Sequence, residues 1–296
     1  MTPGSTSPFD LNDDDAYRRW RDRRLEEHPA NLQQLVVEIA DPHRLTSAEH
    51  SAILDLCRRC NMAIYAGPTG EDPDKAIITD LGRQFGLERL DHNPGADEDA
   101  VSSLTVQTDA YHREYIPYTN RPITWHTDGY YNAPDDRISA MVLHTERPAD
   151  DGGSNRFLDH TIAFIRLMDE NPDYIAALCH PEAMTIPANE EEGSYRPPSV
   201  GPVFFADADS GEMQMRYTAR TRSIEWRDDS LTREAVAFLQ HTLETPDPMT
   251  ICLRFGAGQG VLCNNVLHDR TGFDPQAAAH SRRSVYRVRF HNRVKG

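Results

Sequence analysis

The sequence predicts a mainly β protein, a β-sandwich or small barrel with flanking helices, and three observations carry that expectation. From about residue 101 the texture is one of short apolar segments separated by Pro/Gly/Asn/Asp turns. Only two helical stretches, near 161–179 and 231–244, interrupt it. No regular strand–helix alternation of a doubly wound sheet is present. Residues 16–100 read as a more helical N-terminal part of the same domain, 16–296.

The elements follow in order. Residues 1–15 are rich in Pro, Gly and Ser and then acidic, a composition expected to be disordered. Positions 17–27 form a charged, surface-lying helix. Thr46 and Glu49 have capping-box spacing, which starts a helix running through Ile53, Leu54 and Cys57 to about Cys60. The run MAIYAG then reads as a strand. Ile77, Ile78, Leu81 and Phe85 repeat with a helical period over 75–86. Strands are expected at 101–107, 123–128, 138–145, 183–186, 202–205, 213–218, 249–255, 260–266 and 284–291, and the second late helix starts near Ser230. The stretch 187–202 carries four prolines and no periodicity, so it reads as a long loop of the kind that serves as a lid.

Composition excludes several functions. The 296 residues carry 47 acidic against 31 basic side chains, a formal charge of −16. That charge opposes general nucleic-acid binding, which needs a basic footprint, and docking on anionic membranes. No apolar run reaches the ~18 residues of a membrane span, and the N-terminus lacks the basic and apolar regions of a signal peptide. Five cysteines at irregular spacing suit reduced thiols in the cytoplasm. Lysine occurs only at Lys75 and Lys295, which disfavours Schiff-base chemistry. Oligomeric state is left open, a homo-oligomer included.

Two motifs are decoys. GAGQG at 256–260 has Val261 where a dinucleotide fingerprint needs its last glycine, and it leads into a strand-like run, not a helix. Cys57 and Cys60 have zinc-knuckle spacing but no second pair, and on a helix they read as core thiols. More informative is His-x-Asp/Glu, because side chains at i and i+2 of a strand share a face and can grip one metal. The chain contains four such pairs: His112/Glu114, His126/Asp128, His144/Glu146 and His180/Glu182. His126/Asp128 is set apart by its company, YTNRPITWHTDGYYN, with His268 downstream in VLCNNVLHDRTGF. The last strand then places Arg283, Arg287 and Arg289 on one face. These arginines need anions, either a dicarboxylate ligand or Asp/Glu from elsewhere in an acid-rich chain.

Taken together, His126-Thr127-Asp128, Gly152-Gly153-Ser154-Asn155, Asn265 with His268, and Arg283 with Arg287 resemble the iron(II)/2-oxoglutarate dioxygenases of the taurine dioxygenase superfamily. The wording is closest to the gamma-butyrobetaine hydroxylase branch. The resemblance runs over about 101–291 and implies a double-stranded β-helix (jelly roll). It implies that His126, Asp128 and His268 hold Fe(II), that Arg283 pairs with the distal carboxylate of 2-oxoglutarate, that Arg287 lies near its keto-acid end, and that Asn155 helps hold it. Two departures stand out: Asp269 replaces the usual small residue after the distal histidine, and the zinc-binding N-terminal module of the gamma-butyrobetaine hydroxylases is absent.

The implied enzyme oxidises a small polar metabolite with 2-oxoglutarate and O2, releasing succinate and CO2. Glu190, Glu191 and Glu192 beside Tyr195 suit a cationic or zwitterionic substrate, and Tyr130, Tyr131 and Tyr195 are the candidate substrate contacts. A non-catalytic jelly-roll binding protein and a cupin-type metal-dependent isomerase or hydrolase are the alternatives. The first has no need of a complete triad, the second no need of the arginines.

Overall fold

The computed structural model describes residues 7–11, 13–92, 100–106, 116–191, 194–207, 210–220, 224–274 and 283–294. The first helix, α1 (Asp14–Glu27), begins where the Asp13 carboxylate accepts the Ala16 amide. Before it, Phe9 packs edge-on against Trp20 and Phe164, so part of the stretch expected to be disordered is held by aromatic contacts. In α2 (Ser47–Cys60) both hydrogen bonds of the Thr46/Glu49 capping box form, as the spacing requires. The helix ends where Asn61 turns into the left-handed region. α3 (Ala76–Gln84) buries Ile77, Ile78 and Leu81.

Two sheets build the core. The larger has the order β1 (Val36–Glu38), β2 (Met62–Ala66), β15 (Gln259–Cys263), β5 (Ala140–Arg147), β17 (Ser284–Phe290), β3 (Ser102–Ser103). The smaller has the order β14 (Ile251–Leu253), β6 (Asn155–Leu158), β16 (Leu267–Arg270), β4 (Ile123–His126). All of their pairings are antiparallel except β1 with β2. Thus the N-terminal part supplies strands to the main sheet as well as helices. GAGQG is the turn into β15, and Gly260 is obligatory there, since a Cβ would sit 2.0 Å from the Leu143 carbonyl and 2.4 Å from the Tyr65 hydroxyl.

The stretch 161–179 is two helices, α4 (His160–Glu170) and α5 (Pro172–Leu178). Pro172 has no N–H to continue the first helix, and Asn171 caps the second. With α6 (Ser230–Glu244) they bury Ile162, Phe164, Leu167, Leu178 and Leu239 in one apolar cluster. Three small sheets lie beside them: β7 (Met184–Ile186) between β10 (Ser199–Gly201) and β13 (Glu225–Trp226), β8 (Asn189–Glu191) with β9 (Ser194–Arg196), and β11 (Phe204–Ala206) with β12 (Met213–Met215). The proline-rich stretch 187–202 is therefore not an open loop. Its prolines flank short strands and leave the paired amides free to bond. Among the described residues no helix is long and apolar enough to cross a membrane.

Candidate active site

Strands β4 and β16 are neighbours, and His126 and His268 are direct register partners across them. Side chains opposed in this way share a face, so the two imidazoles meet with ring centroids 4.2 Å apart. Each ring is fixed by the carbonyl two residues earlier: His126 Nδ1 lies 2.9 Å from the Thr124 oxygen and His268 Nδ1 3.0 Å from the Val266 oxygen. A carbonyl only accepts, so both rings carry the proton on Nδ1 and present a lone pair at Nε2. Burial, with the neighbouring His126, pushes the His268 imidazole down to about 3, which keeps it neutral.

The third group arrives differently from the strand alternation expected at 123–128. β4 ends at His126, and Asp128 stands in the turn beyond it. The backbone stays extended for one more residue because the Thr127 amide donates to the Tyr217 carbonyl at 2.9 Å. Asn265 then brackets the turn: its Oδ1 accepts the Asp128 amide at 2.8 Å, and its Nδ2 donates to the Asp128 and Ile138 carbonyls at 3.0 and 2.7 Å. Asn265 itself has φ 51°, a region asparagine tolerates better than most residues. The result places His126 Nε2 3.6 Å from Asp128 Oδ1, and ligand atoms of His126, Asp128 and His268 all lie within 4.8 Å of one another. Among the described residues no other group of three His, Cys, Asp or Glu does this.

Burial alone would raise the Asp128 carboxyl, but Arg287, His126, Arg289 and His268 outweigh it and hold it well below the usual carboxylate range. Arg287 Nη1 donates to Asp128 Oδ1 at 3.3 Å and lies equally 3.3 Å from Oδ2, which is buried and accepts no hydrogen bond among the described residues. Two imidazole Nε2 atoms and one ionised carboxylate, whose buried Oδ2 accepts no hydrogen bond, make a donor set that fits Fe(II), the two-histidine–one-carboxylate arrangement of non-haem oxygenases.

A second centre of charge adjoins the first. Residues i and i+2 of a strand share a face, so Arg270 on β16 points with His268, and Asn155 on β6 is its register partner. The guanidiniums of Arg270 and Arg283 lie 5.0 and 5.3 Å from the Phe273 ring centre. Burial lowers Arg283 to about 10, and burial with repulsion from Arg283 lowers Arg270 to about 9. Among the described residues neither has a carboxylate partner. Arg270 donates only to the carbonyls of Thr119 and Arg121, at 2.8 and 2.6 Å. The Gly152-Gly153 turn, with φ of 70° and 69°, shapes this end: a Cβ on Gly152 would strike the Gly272 carbonyl at 2.3 Å, and one on Gly153 would lie 3.6 Å from Arg283 Nε. Two guanidiniums without a carboxylate partner, Arg270 buried and Arg283 half-buried, are a site for an anion.

The other expected residues fall in place unevenly. Arg289 is taken, ion-paired to Asp91 and donating to the Tyr131 hydroxyl at 3.1 Å. Asn155 Nδ2 donates to the Asp269 carbonyl at 3.0 Å. Asp269 faces away from the three-residue cluster: its Oδ2 accepts both Nε and Nη2 of Arg156 and its Oδ1 accepts the Arg156 amide, which accounts for a charged residue after the distal histidine. Tyr130 and Tyr131 pack edge-on, 5.2 Å apart, beyond the metal turn. Tyr195, by contrast, is 65% exposed on the hairpin and does not line the site in this conformation.

Of the rival pairs, His144 is pinned between Tyr65 and Thr69 while Glu146 binds hydroxyls of β17. His180 accepts the Glu182 amide within a turn. His112/Glu114 lies outside the described residues. Cys57 and Cys60 are buried free thiols, as expected of core positions. Asn265 belongs to the residues that carry the resemblance, with no role attached to it there, whereas Arg270 is absent from them although it stands at i+2 from His268, the spacing that also links His126 to Asp128.

Comparison with known proteins agrees with this geometry. The family model for taurine catabolism dioxygenase TauD, TfdA family matches residues 23–289. No curated protein matches the sequence significantly. Among solved structures, OrfP, a non-haem iron oxygenase determined with Fe, succinate and (3S)-hydroxy-L-Arg, superposes with a TM-score of 0.60 at 18% identity, over 84% of this chain and 81% of that one. An asparagine oxygenase with Fe(II), 2S,3S-3-hydroxyasparagine and succinate gives 0.55 at 15% identity, over 84% and 81%. A taurine dioxygenase from Burkholderia xenovorans gives 0.56 at 15% identity, over 86% and 87%. At these identities the likeness to solved structures is one of fold, whereas the family match spans most of the sequence. The chain belongs to the taurine catabolism dioxygenase TauD, TfdA family, and the protein is an iron(II)- and 2-oxoglutarate-dependent oxygenase.

Proposed function

We propose that the protein hydroxylates a small, polar, amino-acid-like metabolite, with His126, Asp128 and His268 holding Fe(II) and Arg283 anchoring the distal carboxylate of 2-oxoglutarate. The observation that carries this reading is the juxtaposition of the three-ligand cluster with Arg270, on the same face of β16 as His268, and with the neighbouring Arg283, neither arginine having a carboxylate partner among the described residues. Arg270 reinforces the anchor, Asn155 borders it, and Arg287, bonded to Asp128, lies at the keto-acid end. The two sheets are read as the halves of a double-stranded β-helix. The wording HTDGYYN and NNVLHDRTGF favours the gamma-butyrobetaine hydroxylase branch. Hydroxylated amino acids in the OrfP and asparagine oxygenase structures support the substrate class.

Bound Fe(II) supplies the redox chemistry that couples decarboxylation of 2-oxoglutarate to oxidation of the substrate. The chain's own part is placement. Carbonyl-fixed imidazoles keep two Nε2 lone pairs aimed at one point, and Arg287 keeps Asp128 ionised and limits its rotation. Buried arginines in an apolar setting orient a dicarboxylate in one sense, because a two-pronged pair fixes direction as well as position. Tyr130 and Tyr131 border the opposite side, where Arg196 of the β8–β9 hairpin stacks over Tyr131 at 5.8 Å. We read this hairpin as a lid that excludes water from the oxidising centre.

Anaerobic addition of Fe(II) and 2-oxoglutarate should give a weak visible charge-transfer band. Asp128→Ala should abolish it and His144→Ala should leave it. Arg283→Ala should raise the 2-oxoglutarate requirement by roughly two to three orders of magnitude, the effect of deleting one member of a buried charge pair. Loss of the band in His144→Ala with retention in His126→Ala would refute the ligand assignment.

A further inference from the structure

The pair His144/Glu146 has metal-binding spacing, yet it lies on the face of β5 turned away from the triad, and its geometry points to another task. β5 and β17 run in register from Phe290 to Val285, which stands opposite Thr145. The next residue, Ser284, stands opposite Arg147. Glu146 is thus the extra residue of a β-bulge, with no partner across the ladder. Its side chain fills that gap: one carboxylate oxygen accepts the Ser284 hydroxyl at 2.5 Å and the Tyr286 hydroxyl at 2.7 Å. Ser284 and Tyr286 share a face of β17, so Arg283, Val285 and Arg287 share the other. Glu146 therefore clamps one face of the very segment whose opposite face carries the arginines.

Position along the strand sharpens this. Arg287 is held twice by the sheet, opposite Leu143 on β5 and opposite Ser102 on β3. Arg283 lies one residue before β17 begins, and on its outer side β3 pairs only with Tyr286 and Arg287. Among the described residues, the backbone that launches Arg283 is fixed by the bulge on one side and, on the other, by the Leu104 amide donating to the Val285 carbonyl at 2.8 Å. Bulges beside active sites re-aim side chains, and here the re-aimed residue is Arg283.

We propose that Glu146 is a positioning residue for 2-oxoglutarate: by gripping the Ser284 and Tyr286 hydroxyls at the bulge, it aims the Arg283 guanidinium at the cosubstrate's distal carboxylate. The proposal rests on Arg283 being that anchor. A merely structural Glu146 would affect stability without selecting one ligand, so the two roles separate by measurement.

The test titrates 2-oxoglutarate into anaerobic Fe(II)-loaded protein, following the charge-transfer band, for Glu146→Ala, Glu146→Gln, Arg283→Ala and the double variant. Fe(II) affinity and thermal midpoint are measured alongside. Glu146→Ala should weaken 2-oxoglutarate binding by roughly ten- to a hundredfold, the usual range for groups that orient a ligand-binding residue, with Fe(II) affinity unchanged. Glutamine keeps an oxygen that can accept both hydroxyls, so Glu146→Gln should stay within about threefold of wild type. In the Arg283→Ala background, Glu146→Ala should add nothing, since it acts through that arginine. Should Glu146→Ala not fold, Tyr286→Phe removes one of the two clamps and should still weaken 2-oxoglutarate selectively. Unchanged 2-oxoglutarate binding in Glu146→Ala, or in Tyr286→Phe if that is the variant available, overturns the proposal. So does additivity with Arg283→Ala. Normal binding in Arg283→Ala alone would instead overturn the anchor assignment, and this inference with it.

Discussion

Replacing Asn265 with alanine tests whether the metal site depends on a residue that touches neither metal nor substrate. Three hydrogen bonds are lost at once, from the Asp128 amide and to the Asp128 and Ile138 carbonyls, all inside the protein. At a net ~1 kcal/mol each that amounts to about 3 kcal/mol, and more if the stranded groups find no water. Alanine at φ 51° adds about 1 kcal/mol of backbone strain that asparagine largely avoids. The expected loss is therefore about 4 kcal/mol for Asn265→Ala and about 3 kcal/mol for Asn265→Gly, which forfeits the bonds but not the backbone freedom. Urea unfolding of the metal-free protein measures both. Since the same bonds aim Asp128, Fe(II) affinity should fall by roughly ten- to a hundredfold in either variant. An Asn265→Ala protein that loses stability but binds Fe(II) like wild type would refute the reasoning, showing a loop staple with no bearing on the site.

Two further outcomes are expected. Asp159 is buried, with Arg24 Nη2 at 3.2 Å, and it accepts from Asn61 Nδ2 and the Thr161 amide, both at 2.9 Å. Burial opposes its ionisation, but Arg24, His160, Asn61 and Thr161 prevail and depress its pKa. Its stabilisation is thus complete above the unfolded value of about 3.9 and lost as the pH falls below that toward the folded value. Asp159→Asn should cost about 3 kcal/mol at pH 7, with a gap that narrows below about pH 4, read from urea midpoints at both pH values; a gap independent of pH would exclude the ion pair as its source. Deleting residues 189–196 should leave Fe(II) and 2-oxoglutarate binding intact while succinate forms without matching product, and preserved coupling with an identified substrate would reduce the hairpin to a connector.

What the chain reveals on reading depends on how local the physics is. The α2 capping box and the apolar period of α3 are settled within a few residues, and both form as expected. Neither β16 nor β6 falls within a strand expected from the sequence, since the run 260–266 stops one residue short of β16. β6 holds Arg156 between apolar Phe157 and a polar Asn155, and β16 ends in two charges. Their strand state comes from the ladder they share, not from propensity. The three residues of the cluster are visible in the sequence because the motif needs only residue types. Why they meet is not, since the His126–His268 register joins strands 142 positions apart in sequence. Arg270 escaped notice for the opposite reason: its spacing was visible, but an arginine is informative only once the carboxylates that might pair it are known to be elsewhere.

That last point governs the whole arginine strand. Sequence left two readings for Arg283, Arg287 and Arg289, an anionic ligand or internal carboxylates, and the fold divides them by position. Arg289 is spent on Asp91, and Arg287 is paired with Asp128. Only Arg283 reaches a region where no described carboxylate waits, beside a second arginine in the same state. A chain of net charge −16 would repel a dianion such as 2-oxoglutarate at long range. At physiological ionic strength, however, that repulsion is screened over about 8 Å, while a buried guanidinium acts in a medium of far lower effective dielectric. The local term wins. An acidic protein can therefore bind a dianion, provided that cations without a carboxylate partner are gathered where the dianion is to be held.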